Sequence, residues 1–183
     1  MRLVYTLVAC SLAATPLAAQ SVGPDTPEGV AQRYVTAMRA RDWKSMAALM
    51  HPLALAKFRT MLGGALRSPD ASTLRQQFFG NATPAQVDSL SDADFYARFI
   101  AAAMRQSAEL QTMMDSAQVK ILGHVSEAPD LSHVVFTLRL AMGPVAVSKP
   151  DVITLKRQGN TWLALLRADL EIMAAALQQR FGT

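Results

Sequence analysis

The hydrophobic positions of the chain change their period near Asp115, and this change predicts the fold. Before it, apolar side chains recur at helical spacing, as Val30, Tyr34 and Met38 do on one stripe. After it, residues 133–142 alternate between apolar and mixed positions, which is typical of a strand with one buried face. The pattern therefore predicts a helical first part followed by strands.

Capping residues mark where the helices begin. Thr26 before Pro27 favours a first helix that ends near Arg41, and Asp42 then caps a second helix. Further starts are predicted at the capping box of residues 83–86 and at Ser91.

Proline and glycine predict the helix breaks. His51–Pro52 interrupts the second helix, and the following helical segment is expected to stop at Gly63–Gly64. A short helix over residues 74–79 is closed by Gly80, and a last short helix is expected over residues 171–181.

Four strands are expected over residues 119–125, 133–142, 145–155 and 161–166. Their connections are short, so neighbouring strands should pair as antiparallel hairpins. Pro150 falls inside the third strand and cannot donate to a ladder, which predicts a bulge or bend there. The predicted class is α+β: several N-terminal helices packed on a four-stranded antiparallel sheet, with a short C-terminal helix.

The amino terminus has the order of a secretory signal peptide. A positive start is followed by an apolar stretch and by small residues up to Ala19, so residues 1–19 are predicted to be removed. Residues 20–25 are expected to be a flexible linker, and residues 26–183 one domain. An alternative is a lipoprotein anchored through Cys10, which stands in a lipobox-like context. Either way the protein is exported, to the periplasm or beyond, and the mature chain is expected to lack a membrane span.

Composition excludes several functional classes. The net charge of +4, from 18 basic and 14 acidic residues, is spread along the chain, whereas nucleic-acid binding requires a concentrated basic stripe. The single cysteine excludes a disulfide scaffold and a cysteine-rich metal site. The chain contains no phosphate-binding glycine loop and no hydrolase or metalloprotease motif. We therefore expect no cofactor and no nucleic-acid partner.

The order of elements resembles the nuclear transport factor 2-like superfamily, a cystatin-like α+β cone. The resemblance rests on a capped first helix containing Tyr34, a break at residues 41–43, a second helix ending in His51–Pro52, and late meandering strands. It covers residues 26–168. It implies a curved sheet that wraps the helices into a cone, whose mouth can hold a small molecule.

Members of that superfamily include isomerases, dehydratases and hydrolases as well as binding modules without chemistry. Isomerase-like members use an Asp base with Tyr and acidic donors, and hydrolase-like members use an Asp-Arg-Asp set. Here Tyr34, Asp151, Arg139 and Asp169 are of the right types.

Two candidates lie in the helical part. His51 could line a pocket at the helix break as a general base, or it could cap the helix that follows. Tyr34 could orient a ligand through its phenol, or it could be a buried core aromatic with a satisfied hydroxyl.

Two further candidates lie on the strands. Arg139 should reach across to the third strand near Ser148, with Asp151 beyond the expected bend. Such a carboxylate–guanidinium pair could bind an acidic ligand, or it could hold the bulge. Arg167 and Asp169 admit the same two interpretations.

The two strand histidines are weak metal candidates. If residues 127–130 close a simple hairpin, His124 lies opposite His133, and Lys120 lies opposite Thr137. Facing imidazoles could share a metal or act as a pH-sensitive pair. The sequence supplies no third ligand, and solvent-facing strand residues are the alternative, so we expect no metal.

Taken together, the sequence predicts an exported, non-catalytic module that binds a hydrophobic small molecule or a partner protein in an apolar cone. The alternative is a small-molecule isomerase, dehydratase or hydrolase whose acid–base pair comes from Tyr34, His51, Asp151 and Arg139. A homodimer formed through the open sheet face is a third hypothesis.

Overall fold

A computed structural model describes residues 23–68, 71–142 and 145–181. The predicted signal peptide, Cys10 and the first part of the predicted linker lie outside the described residues, as do residues 69–70, 143–144 and 182–183. Residues 23–25 form a turn before the first helix, where Thr26 Oγ1 donates to the Gly23 carbonyl and Arg33 donates to the Pro24 carbonyl.

The predicted α+β class is confirmed. The described residues form eight helices and one four-stranded antiparallel sheet of order β1-β2-β3-β4. The helices are α1 (Pro27–Arg39), α2 (Trp43–Ala48), α3 (Pro52–Arg67), α4 (Ser72–Phe79), α5 (Pro84–Asp88), α6 (Asp92–Arg105), α7 (Ala108–Ser116) and α8 (Ala168–Phe181). The strands are β1 (Gln118–Ala128), β2 (Leu131–Met142), β3 (Val145–Gln158) and β4 (Thr161–Ala164).

The helices begin where the capping residues place them. Side-chain oxygens of Thr26, Asp42 and Ser91 each accept a hydrogen bond from a backbone N–H three residues later. Residues 83–86 form the full reciprocal capping box. These caps satisfy N–H groups that have no partner within the helix, which explains why the starts were predictable.

The expected helix stop at Gly63–Gly64 is wrong, because α3 continues to Arg67. The turn after the glycines buries Ala65 and Leu66 in the core. A glycine in a helix interior lowers the stability by about 1 kcal/mol relative to alanine. Burial of an aliphatic side chain stabilises the fold by more than that.

The expected bulge at Pro150 is also wrong. The pairing of β2 with β3 runs without a shift from Leu131↔Lys156 to Met142↔Val145 and passes through Thr137↔Pro150. On its other side β3 pairs with β4 only over residues 155–158. Pro150 therefore lies on a free edge of the sheet, where a residue without an N–H interrupts no ladder.

The irregularity is instead in β1. The register with β2 shifts between Ile121 and Gly123, so that Leu122 is an extra, exposed residue. Gly123 has φ +146°, a conformation that residues with a side chain rarely adopt. The bulge changes which face of the sheet the following residues occupy.

The core lies between the helices and one face of the sheet. Val134, Phe136, Ile153 and Leu155 supply the buried positions of the central strands, as the alternation in β2 predicted. On the helical side, three rings of α6 pack edge to face on Phe58, and two rings of α4 stack or tilt against them. The rings are Phe78 and Phe79 of α4, Phe95, Tyr96 and Phe99 of α6, and Phe58 itself in α3.

The helical half is joined to the last strand by a parallel bridge between Met50 and Ala164. Ala164 N donates to the Leu49 carbonyl at 2.8 Å, and His51 N donates to the Ala164 carbonyl at 2.8 Å. α8 then returns against α3 and closes the fold. Among the described helices, none combines the length and the apolar character needed to cross a membrane.

Candidate functional site

A cleft of about 450 Å³ opens between the free part of β3 and the start of α8. The chain leaves β4 at Ala164 and runs along β3 before it becomes helical, which leaves a groove between the two segments. We call it the Arg167 cleft. Charged side chains and small apolar ones line it together: Lys149, Asp151, Val152, Thr154, Leu165, Leu166, Arg167, Ala168, Asp169 and Glu171.

Arg167 is held between two carboxylates at this cleft. Its Nη2 donates to Asp151 Oδ2 at 3.0 Å, and its Nε donates to Asp169 Oδ1 at 3.2 Å. Lys149 Nζ lies 3.8 Å from the same Asp151 oxygen. The Asp151 and Arg167 side chains are only 20% and 28% exposed, so solvent screens this pair less than an open surface pair.

The pKa shifts follow from this arrangement. Burial alone raises the pKa of Asp151, but the hydrogen bonds from Arg167 and from the Val152 N–H outweigh it, and the net pKa lies below its usual value. Burial likewise lowers the pKa of Arg167, but Asp169 and Asp151 outweigh it and raise the pKa overall. Asp151 and Arg167 are therefore both charged at neutral pH.

Two buried phenols lie within the electrostatic reach of Arg167 and Asp169. Tyr34 of α1 and Tyr96 of α6 are both buried, and burial is the main cause of the raised pKa of each. The two hydroxyls also influence each other's pKa, yet Tyr96 Oη makes no hydrogen bond of good geometry within the described residues. Both phenols stay protonated and neutral at physiological pH.

A second, smaller cleft adjoins the first. It has a volume of about 250 Å³ and shares Thr154, Leu165, Leu166 and Glu171 with the Arg167 cleft. Its other lining residues come from the start of α3 and include Leu53, so we call it the Leu53 cleft. Lys57 Nζ donates to Glu171 Oε1 at 2.7 Å at its edge.

The four residues predicted to carry chemistry do not converge. Asp151 lines the Arg167 cleft, whereas Tyr34 lies in the core. His51 caps α3, because its Nδ1 accepts from the Leu53 N–H at 3.1 Å. Its pKa is lowered by burial and then by Lys156, which keeps the ring neutral.

The predicted proximity of Arg139 to Asp151 is wrong. Arg139 lies opposite Ser148 as expected, but Asp151 lies opposite the buried Phe136. Successive strand residues point to opposite faces, so Arg139 points away from the helices while Asp151 lies on the helix-packed side. Arg167 is the partner that Asp151 has instead.

The predicted facing of His124 and His133 is also wrong, although Lys120 does lie opposite Thr137. The β1 bulge pairs His124 with the buried Val134, so His124 turns to the core side, where its Nδ1 donates to the buried carboxylate of Glu28.

His133 stays on the outer face. Its Nε2 donates to Glu127 at 2.7 Å, and its Nδ1 accepts from Thr154 Oγ1 at 3.1 Å. The two imidazoles therefore lie on opposite faces of the sheet and cannot share a metal. Within the ranges that the structure describes, no three His, Cys, Asp or Glu side chains are grouped to hold a metal ion.

A third cleft, of about 200 Å³, is lined by Arg59, Arg67 and Arg75 but serves the fold. Arg59 donates to the carbonyls of Val87, Asp88 and Leu90, and Arg75 to those of Leu66 and Ser68. These carbonyls lie at or just after the C-terminal ends of α5 and α3, where the helix itself supplies few N–H donors.

The sequence analysis missed Tyr96 and Leu53 and left Arg167 undecided. The Arg167-Ala168-Asp169 run was a signal, because the two charges stand two residues apart at the predicted end of a strand. Nothing in the sequence shows that this segment turns back along β3. Comparisons with family models, with curated proteins and with solved structures find no match to this chain.

Proposed function

We propose that the protein is an exported, non-catalytic binding module whose small-molecule ligand occupies the Arg167 cleft. The observation that carries the proposal is the fixed position of Arg167 between Asp151 and Asp169 on the wall of an accessible cleft. Two carboxylates orient the guanidinium before any ligand arrives, which reduces the entropy lost on binding.

The shape of the cleft supports this proposal. A volume of about 450 Å³ lies within the range of small-molecule sites, roughly 300 to 1,000 Å³. Its lining combines polar groups that converge on Arg167 with the apolar side chains of Val152, Leu165 and Leu166. We also propose that the protein belongs to the nuclear transport factor 2-like superfamily. This proposal is supported by the order of elements, with helices before a four-stranded meander.

Export is proposed from residues 1–19, with anchoring through Cys10 as the alternative. The full precursor, expressed in a Gram-negative host, should appear in the periplasmic fraction with the mass of a chain that begins at Gln20. The mass of a lipid-modified chain that begins at Cys10 would support the anchored form. The mass of the unprocessed chain would contradict export.

Native mass spectrometry tests the binding function. The mature protein, purified gently from its natural envelope fraction, should carry a stoichiometric small-molecule adduct. The Arg167→Gln variant should lose adduct occupancy, while Arg139→Gln on the outer sheet face should keep it. A ligand-free monomer would contradict the proposal, and a ligand-free dimer would favour the interaction module that uses the open sheet face.

A hydrolase is the second candidate function, because Asp151, Arg167 and Asp169 contact one another and are of the residue types in the Asp-Arg-Asp set that hydrolase-like members of the superfamily use. The ionised Asp151 could accept a proton from an attacking water, with Arg167 holding both carboxylates in place. Turnover of the adduct molecule by the wild type, and its loss in the Asp151→Asn variant, would support a hydrolase and contradict the non-catalytic binding function.

A further inference from the structure

The Arg167 cleft and the Leu53 cleft are adjacent parts of one surface groove. They share four lining residues, two of which, Leu165 and Leu166, are partly buried and packed on the core. A molecule bound at Arg167 can therefore extend over these two leucines towards α3 without crossing an intervening element. The groove has a polar end and an apolar end.

The polar end carries balanced charges. Asp151 and Asp169 each contact Arg167, and Lys149 lies beside Asp151. Glu171, the third carboxylate on this cleft, is paired with Lys57, so three negative charges meet three positive ones. An anion entering here meets two carboxylates, and a cation meets Arg167 and Lys149. Charge complementarity therefore favours an uncharged head group over either ion.

Arg167 also retains hydrogen-bonding capacity. Its donors Nε and Nη2 serve the two aspartates, whereas Nη1 makes no hydrogen bond to any residue that the structure describes. A guanidinium has five N–H donors and no acceptor. The group it can still bind is an oxygen acceptor, such as a carbonyl.

The other end of the groove is apolar and accessible. Leu53 is 63% exposed, which is high for a leucine beside a cleft, and Ala54 lines the same cleft. Lys57 and Glu171 are paired with each other, so neither presents an uncompensated charge to an entering chain. Apolar surface of this kind gains free energy when a hydrocarbon chain covers it.

We infer that the ligand is an uncharged amphiphile, with an oxygen acceptor that binds Arg167 and an aliphatic chain that covers Leu165, Leu166 and Leu53. This inference deepens the proposed binding function and rests on it. It names the ligand class from two independent features, the balanced charges at one end and the exposed leucine at the other.

Matched eight-carbon probes test the head group. Octanamide, octanoate and octylammonium differ in charge but share one chain, and their binding is measured by calorimetry and by the amide NMR shifts of Val152 and Ala168. Octanamide should bind at least tenfold more tightly than either ion, and both amides should shift. Equal or tighter binding of octanoate would overturn the uncharged head.

Shorter amides test the chain. From butanamide through hexanamide to octanamide, affinity should rise about fourfold per methylene, as expected for burial of each group. Leu53→Ser should flatten this rise. Leu122→Ser is the matched control, because Leu122 is 57% exposed but lies on the β1 bulge, away from the groove. Equal affinities in the Leu53→Ser variant and the wild type would overturn the chain placement.

The Asp169 carboxylate provides a separate check, because its side chain is 64% exposed and its replacement should leave the fold intact. Asp169→Asn removes one negative charge, so the discrimination against octanoate should fall at least threefold. Absence of octanamide binding at millimolar concentration would overturn the ligand class. The native adduct experiment stays independent, since an adduct of another class would leave the binding function standing.

Discussion

Asp151 Oδ2 lies 3.0 Å from Arg167 Nη2, and this hydrogen bond joins the middle of β3 to the segment that leads from β4 into α8. The bond fixes the guanidinium at the candidate site, and it also fastens the returning segment to the sheet. The same two side chains therefore serve both the fold and the proposed binding function.

A double-mutant cycle measures this pair. Asp151→Asn and Arg167→Gln should each destabilise the protein, with a coupling free energy of about 1 kcal/mol or more, because the pair is partly buried. The exposed pair Arg41–Asp115 is the control, with a coupling of about 0.5 kcal/mol or less despite its 2.7 Å contact. Urea unfolding of the single and double variants gives both coupling free energies. Equal values for the two pairs would contradict the claim that burial strengthens the Asp151–Arg167 pair.

The Asp151 pair also predicts a pH dependence. Because the folded pKa of Asp151 is lowered, its contribution to stability is complete above the ordinary value of 3.8 and is lost as pH falls through the folded pKa. The stability difference between wild type and Asp151→Asn should therefore be constant from about pH 7 to about pH 5 and shrink below about pH 4. A difference that already shrinks near pH 6 would contradict this pKa direction.

His51 predicts a pH dependence nearer neutrality. Its folded pKa is lowered from 6.5, mainly by burial, so the unfolded chain binds a proton more readily than the native one. Stability from this group is complete above pH 6.5 and falls as pH drops below it.

His51→Asn keeps an N-cap acceptor but removes the titration, so the loss between about pH 7.5 and about pH 5.5 should be smaller than in wild type. Urea unfolding at both pH values measures the effect. Lys156→Gln removes the cationic neighbour of His51, so the loss of stability between the two pH values should also be smaller in this variant than in the wild type. Parallel pH profiles of the wild type and His51→Asn would show that His51 titrates normally.

Two glycine-to-alanine substitutions should have opposite effects. Gly64 lies inside α3 with nothing within 4 Å of an added Cβ, so Gly64→Ala should stabilise the protein by about 0.5 to 1 kcal/mol. Gly123 has equal space but φ +146°, so Gly123→Ala should destabilise it by about 1 to 2 kcal/mol.

Chemical denaturation measures both variants. Since neither added methyl group meets a neighbour, the difference in sign isolates backbone conformation from packing. Stabilisation by Gly123→Ala would mean that the β1 bulge is absent in solution.

The hydroxyl of Tyr96 should be dispensable to stability. Its oxygen is buried near the Tyr34 hydroxyl but makes no hydrogen bond of good geometry among the described residues, and such burial costs about 1 to 3 kcal/mol. Tyr96→Phe should therefore leave the unfolding free energy unchanged or raise it by about 1 kcal/mol. Phe58→Ala, which removes the ring at the centre of the aromatic cluster, should lower it by about 3 to 5 kcal/mol. Destabilisation by Tyr96→Phe would indicate a bound water or another partner at that hydroxyl.

Local signals in the sequence carried most of the fold. Thr26, Asp42 and Ser91 predicted helix starts, because capping is a contact between residues three apart. The predictions made from Gly63–Gly64 and from Pro150 were wrong, because the structural effect of these residues depends on residues distant in sequence. Core packing carries α3 through its glycines, and the short β4 leaves Pro150 on a free edge.

The candidate site was predicted only in part, for the same reason. Asp151 was identified, but its partner depends on the path of the chain after β4, which no local pattern encodes. His124 was placed on the wrong face, because one additional residue at Leu122 reverses the alternation of everything after it. Neither the partner of Asp151 nor the face of His124 follows from residue types alone.

The bridge between Met50 and Ala164 has a consequence for the order of folding. The backbone groups of Leu49 and His51 receive their hydrogen-bond partners from the last strand, which a ribosome synthesises long after α1 to α3. Contacts so distant in sequence form slowly, because a long loop must close first. The nascent helical half therefore lacks these hydrogen-bond partners until residues 161–164 have been synthesised.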